Sequence, residues 1–287
     1  MFSTDPATTR DLTLAEVAER LARKTSVQAL MTIGSSRNAL QPAYSDYDLV
    51  IVLEGWPVEI RVGYTTIGGK LTDLLFVESA AITRILSAVE PLDPWSWDGR
   101  MVRWLQAARI MFDRHGAVTR AQVKVQAGEW VQPPSAAAAY RAWFQINYNL
   151  SQTRRMLAAD DPVYGYAIDI RLLYMVAECI PGYFALRGLL WEGEKAAIRY
   201  FQHHDPEYLT AFTHCIHAND RVQRFRLYED LARRTLEPVG GIWGNGQTAF
   251  AFDGDAGEPA ASIEAARHLW TELVADGETT ETHERAR

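Results

Sequence analysis

Three carboxylates and a glycine-serine pair are the residues of this chain whose types and spacing could do chemistry. Gly34-Ser35 follows an apolar run and is separated by ten residues from Asp46-Tyr47-Asp48, which heads a second apolar run, while Asp73 stands alone inside a third. Residues 27–33 (VQALMTI) predict a buried strand, so Gly34 and Ser35 fall where the strand breaks and backbone N–H groups become free to meet an anion. Ser36 and Arg37 are further candidate phosphate contacts. In residues 45–53 (SDYDLVIVL) the strand period of two puts Asp46 and Asp48 on one face with Val50 and Val52. Two like charges so placed repel unless a cation lies between them. Asp73, in residues 71–77 (LTDLLFV), shares a face with Leu71, Leu75 and Val77, where a carboxylate would take up a proton or need a positive partner. The turn Gly68-Gly69-Lys70 predicts a hairpin with residues 59–67, which brings Asp73 beside the Asp46 strand. Cations held about 3.5–4 Å apart by such a trio would clamp the attacking and leaving oxygens of an in-line phosphoryl displacement. Each element alone has a plainer reading as a solvated turn or an Arg-paired aspartate. Their order and strand contexts together favour a metal-dependent phosphoryl site.

With those residues in view, the segment 26–77 resembles the signature of the polymerase-beta-like nucleotidyltransferase superfamily, and the layout resembles its small antibiotic-modifying members, the aminoglycoside nucleotidyltransferases. The resemblance implies magnesium-dependent transfer of a nucleoside monophosphate from ATP or another nucleoside triphosphate to an acceptor hydroxyl, with release of pyrophosphate. It also implies roles: Ser35 on the triphosphate, Asp46 and Asp48 holding two magnesium ions, Asp73 completing the metal site and helping to activate the acceptor. Residues 38–44 (NALQPAY) depart from the small or basic residues common in that family.

The elements that must position these groups follow from periodicity. Helices are predicted over residues 14–24 and 80–89, a short strand over 109–112, and a helix over about 118–128. Gln132-Pro133-Pro134 then breaks the pattern, and Ser135 is a fitting N-cap for the next helix. From there helices are expected over 135–159, 163–190 with a kink or break at Pro181-Gly182, 192–203, 206–236 and about 260–275. The fold class expected is α+β, an N-terminal mixed β-sheet flanked by helices and then a helical bundle, divided as residues 1–131, 132–276 and a disordered tail 277–287.

Two bundle residues join the candidates through the resemblance. Gly193-Glu194-Lys195-Ala196-Ala197 resembles the segment that presents a lysine to the triphosphate, where a cation helps neutralise three phosphates. The general base of the family often comes from a glutamate of the helical domain facing the metal site across a cleft. Glu178 fits, since its apolar neighbours would desolvate it and raise its pKa toward the working range. Asp169 is a rival on the same helix, and Arg171 or Arg187 could instead tie Glu178 into a salt bridge. The aromatics Tyr140, Trp143, Phe144 and Tyr148 repeat at helical spacing and read as core, with one or two available to stack on a base or sugar.

Composition limits the partners. The net charge of −7 and pI near 5.5, with no basic stripe, argue against a long nucleic acid and favour a small cationic or neutral acceptor. The most basic segment, residues 221–234, has arginines interleaved with Phe225, Leu227 and Leu231 and reads as an amphipathic helix. No stretch is long and uncharged enough to cross a membrane, residues 1–10 lack a secretory pattern, and two cysteines give no disulfide framework, so a cytoplasmic setting is expected. His214-x-x-His217 and Asp253-Gly254-Asp255 superficially suggest metal sites, but the first lacks a thiolate pair and the second lacks the glycine a calcium loop needs at position six.

Overall fold

A computed structural model describes residues 9–34, 46–55, 60–159, 161–244, 246–252 and 259–274. The chain divides into two compact units, Met1–Gln132 and Pro133–Arg287. The predicted tail 277–287 and the segment 253–258 lie outside the described residues.

The first unit contains α1 (Leu14–Ala22), β1 (Val27–Ile33), β2 (Tyr47–Leu53), β3 (Val62–Ile67), β4 (Lys70–Glu78), α2 (Ser79–Ser87), α3 (Trp97–Ala107), β5 (Arg109–Asp113) and α4 (Ala117–Gln126). The five strands form one mixed sheet in the order β3-β4-β2-β1-β5, with β2 and β4 parallel and every other pair antiparallel. The hairpin between β3 and β4 turns through Gly68 and Gly69, both at positive φ (57° and 77°), a conformation two side-chain-bearing residues would adopt only under strain. Strand alternation divides the apolar residues between two cores. Leu49 and Ile51 of β2 join Leu30 and Ile67 beneath Val17 of α1. Val50 and Val52 join Met31, Ile33 and Val77 beneath α2, α3 and α4 on the opposite face. That second face is the one Asp48 and Asp73 share.

The helix α3 is not marked by the sequence reading. Its glycine and charged residues dilute the apolar period, yet Met101, Val102 and Leu105 are fully buried and Ser96 caps it by accepting from the Gly99 N–H. Two side chains lock this helical layer. Arg84 grips Asp98 through two hydrogen bonds of 2.6 and 2.8 Å, and the Lys124 ammonium donates to the carbonyls of Ile85, Leu86 and Ala88 at the open end of α2.

The second unit is helical: α5 (Ala136–Leu157), α6 (Pro162–Leu186), α7 (Glu194–His204), α8 (Pro206–His217), α9 (Arg221–Leu236) and α10 (Pro259–Val274). Ser135 caps α5 by accepting from the Ala138 N–H. Two expectations are corrected. The helix α6 runs through Pro181 without a break, because Cys179, Ile180, Tyr183 and Phe184 are locked in the core on both sides of it and packing outweighs the lost hydrogen bond. Residues 206–236 are two helices, parted at 218–220, where Asp220 caps α9 by accepting from the Gln223 N–H. Arg221, Arg224 and Arg234 of α9 have partners within the unit. Arg221 forms a two-pronged pair with Asp169 of α6 at 2.8 and 2.6 Å, and Phe225, Tyr228 and Leu231 are buried in the core of the unit.

Candidate active site

The acidic residues of the first unit are brought together by backbone pairing. Asp48 and Asp73 are direct register partners on the parallel strands β2 and β4. Neighbouring strands lie about 4.8 Å apart, so the two carboxylates leave the same face side by side. Asp46 precedes β2 by one residue and shares that face by alternation. Its charge reaches Asp73: burial pushes the Asp73 carboxyl above the usual aspartate range, and the negative charge of Asp46 pushes it further.

Gly34 completes this end of the sheet. Ile33, the last residue of β1, is the partner of Asp48 across the antiparallel pair, and Gly34 turns away at φ +61°. A Cβ built on Gly34 would lie 2.6 Å from Asp48 Oδ2. Only glycine admits both the left-handed backbone and the close approach of that carboxylate. The remaining expected phosphate contacts, Ser35, Ser36 and Arg37, lie outside the described residues.

Three carboxylates are hard oxygen donors of the kind magnesium takes, and the strand register and the Gly34 contact suit a cation at Asp48. Against this, no three acidic, histidine or cysteine side chains among the described residues are gathered closely enough to hold a metal ion. The strand register thus pairs Asp48 with Asp73, and the described residues by themselves do not complete a metal-holding group.

Glu178 and Lys195 belong to the second unit. Glu178 is half-buried on α6, and neither arginine offered as its partner takes it. Arg187 donates to the carbonyls of Tyr183, Arg234 and Thr235 and stacks 3.6 Å over the Tyr183 ring. Arg171 donates to Asn149 and Thr153. The donor to Glu178 is Asn149, a buried residue of α5 that the sequence reading passes over; nothing in one sequence signals which residue of α5 faces position 178. Burial pushes the Glu178 carboxyl above the usual glutamate range, opposed by the Asn149 hydrogen bond and the Arg171 charge. The rival Asp169 is held below the usual range by its hydrogen bonds from Arg221, which leaves it a poor proton acceptor. Lys195 is exposed at the second position of α7, after Gly193 as N-cap, where its charge opposes the helix dipole and contributes nothing to helix stability. The aromatics of α5 are largely taken up inside the unit. Trp143 and Phe144 meet Trp243 at 5.7 and 5.4 Å, and the Tyr140 hydroxyl donates to the Phe250 carbonyl.

No protein-family model and no curated protein matches the chain. Among solved structures, a nucleotidyltransferase-like protein from Exiguobacterium sibiricum 255-15 is similar at a TM-score of 0.40 and 11% identity, covering 90% of this chain and 88% of its own. A likeness that shallow carries no argument about either chain's chemistry. Among the described residues, no helix is long and apolar enough to cross a membrane.

Proposed function

We propose that the chain is a magnesium-dependent nucleotidyltransferase that moves a nucleoside monophosphate, AMP in the first instance, onto a hydroxyl of a small molecule of the aminoglycoside type. The observation that carries this reading is the pairing of Asp48 with Asp73 in register, with Gly34 at positive φ pressed against Asp48. Burial and the neighbouring Asp46 charge raise the proton affinity of Asp73, which favours a functional over a purely structural reading of these acids.

In this reading Asp46, Asp48 and Asp73 hold the metal ions, which when bound neutralise the developing charge on the phosphoryl oxygens. Ser35 and, in the helical unit, Lys195 are the residues proposed for contact with the triphosphate. Glu178 takes the proton of the acceptor hydroxyl as its oxygen bonds to the α-phosphorus; the bond from that phosphorus to the bridging oxygen breaks, and pyrophosphate leaves with the electron pair.

The test is pyrophosphate release from ATP and magnesium against a panel of aminoglycosides, proteins and tRNA. Release with one acceptor class, reduced about a thousandfold by Asp46→Ala or Asp48→Ala, is the expected result. Release that survives both substitutions overturns the reading. Transfer to protein or tRNA would keep the chemistry and replace the acceptor. A catalytically silent nucleotide-binding relative is the second reading, favoured by the lack of a metal-holding acidic group among the described residues, and it predicts nucleotide binding with no turnover on any acceptor.

A further inference from the structure

Glu178 is held from one side only. Asn149 Nδ2 donates to Glu178 Oε2 at 2.8 Å, while Oε1 accepts no hydrogen bond from any described residue. The amide of Asn149 cannot turn round, because Arg171 Nη2 donates to its Oδ1 at 2.7 Å and a guanidinium can only donate. Arg171 is fixed in turn by its Nε, which donates to Thr153 Oγ1 at 3.3 Å, and the Thr153 hydroxyl donates to the Asn149 carbonyl at 2.8 Å. Asn149 and Thr153 are 2% and 0% exposed, so a lost partner there leaves a buried polar group unsatisfied.

We propose that Asn149, pinned by Arg171, is the positioning residue for Glu178: it occupies Oε2, so that Oε1 is the oxygen that receives the acceptor's proton. The proposal rests on the reading of Glu178 as general base. The electrostatics agree with it. Burial raises the proton affinity of Glu178, and the Asn149 bond and the Arg171 charge moderate that rise. The other titratable groups near it are Cys179 on α6 and Tyr228 on α9, both pushed well up by burial and therefore neutral at working pH. Arg171 is thus the charge that acts on Glu178 from within the unit. An Arg171–Glu178 salt bridge would have clamped the carboxylate and lowered its basicity; one amide placed between them transmits the orientation and dilutes the charge.

The experiment uses the full chain with Asn149→Leu, Arg171→Met and Arg171→Lys, each checked for native packing by near-UV circular dichroism. The titration of the Glu178 carboxyl is followed by ¹³C NMR, assigned with Glu178→Gln, alongside the pH profile of kcat. Asn149→Leu is expected to move the Glu178 midpoint up by about one pH unit, the size of one hydrogen bond to a charged group, and to carry the acid limb of kcat with it while KM for ATP stays unchanged. Arg171→Met shifts both in the same direction by less, since Asn149 then loses only its anchor, and Arg171→Lys recovers part of the shift. A folded Asn149→Leu with an unmoved midpoint overturns the proposal; if that variant does not fold, an unmoved midpoint in Arg171→Met does so. A midpoint that moves without the kcat limb keeps Asn149 as the partner of Glu178 and rejects Glu178 as the base.

Discussion

Asp73 in the sheet and Glu178 in the bundle are both half-buried carboxylates with raised proton affinity, but the causes differ. Around Asp73, burial and the Asp46 charge act in the same direction, and no described residue moderates them. Around Glu178, burial is opposed by an amide hydrogen bond and by an arginine one residue removed. In the proposed reading the first environment takes a cation, and the second suits a group that gains and loses a proton. The same residue class thus serves two tasks because its neighbours differ in sign.

The contrast is broken most severely by removing the sheet acids: Asp46→Ala and Asp48→Ala are each expected to reduce pyrophosphate release about a thousandfold. A smaller lesion is Gly34→Ala. Its methyl would enter the space of Asp48 Oδ2 and its backbone would be strained at φ +61°, so a displacement of the carboxylate by a few tenths of an ångström is expected. Steady-state kinetics should show kcat down by about tenfold to a hundredfold, with the apparent magnesium requirement raised. Unchanged magnesium dependence would separate Gly34 from the metal site.

The smallest effect bears on stability. Because the folded chain holds the Asp73 proton over a pH range in which the unfolded chain has lost it, this group's contribution falls as pH rises from the ordinary aspartate range through the raised folded value. Near neutral pH the full penalty is present. Without magnesium, Asp73→Asn should therefore unfold about 1–3 °C higher than the parent at neutral pH, with the gain vanishing in acid. Calorimetric scans at several pH values check this, and a destabilised Asp73→Asn at neutral pH would mean that Asp73 is already compensated.

The sheet site was legible because strand alternation is strict. The period of two put Asp46 and Asp48 on one face of their strand and Asp73 on a face with Leu75 and Val77, and the Gly68-Gly69 turn marked the hairpin that carries β4. The bundle site was legible only in part. An apolar neighbourhood marked Glu178, but its partner depends on which turn of α5 meets which turn of α6, a matter of tertiary packing that no local period encodes. For the same reason Arg171 was legible as a candidate partner and not as the anchor of Asn149. Of the two outcomes expected at Pro181, the break does not form, because the local cost of proline, about 3 kcal/mol in a helix interior, is smaller than what packing of the surrounding core residues returns.

The central claim is that the carboxylates of β2 and β4 recruit a divalent ion for a triphosphate. Calorimetric titration with a non-hydrolysable ATP analogue, with and without magnesium, tests it without needing an acceptor. The account predicts that magnesium tightens binding to the parent chain by about tenfold or more, equivalent to about 1.4 kcal/mol, and that this gain disappears in Asp48→Ala and Asp73→Asn. Binding that is indifferent to magnesium, or a magnesium gain that both variants retain, would contradict it.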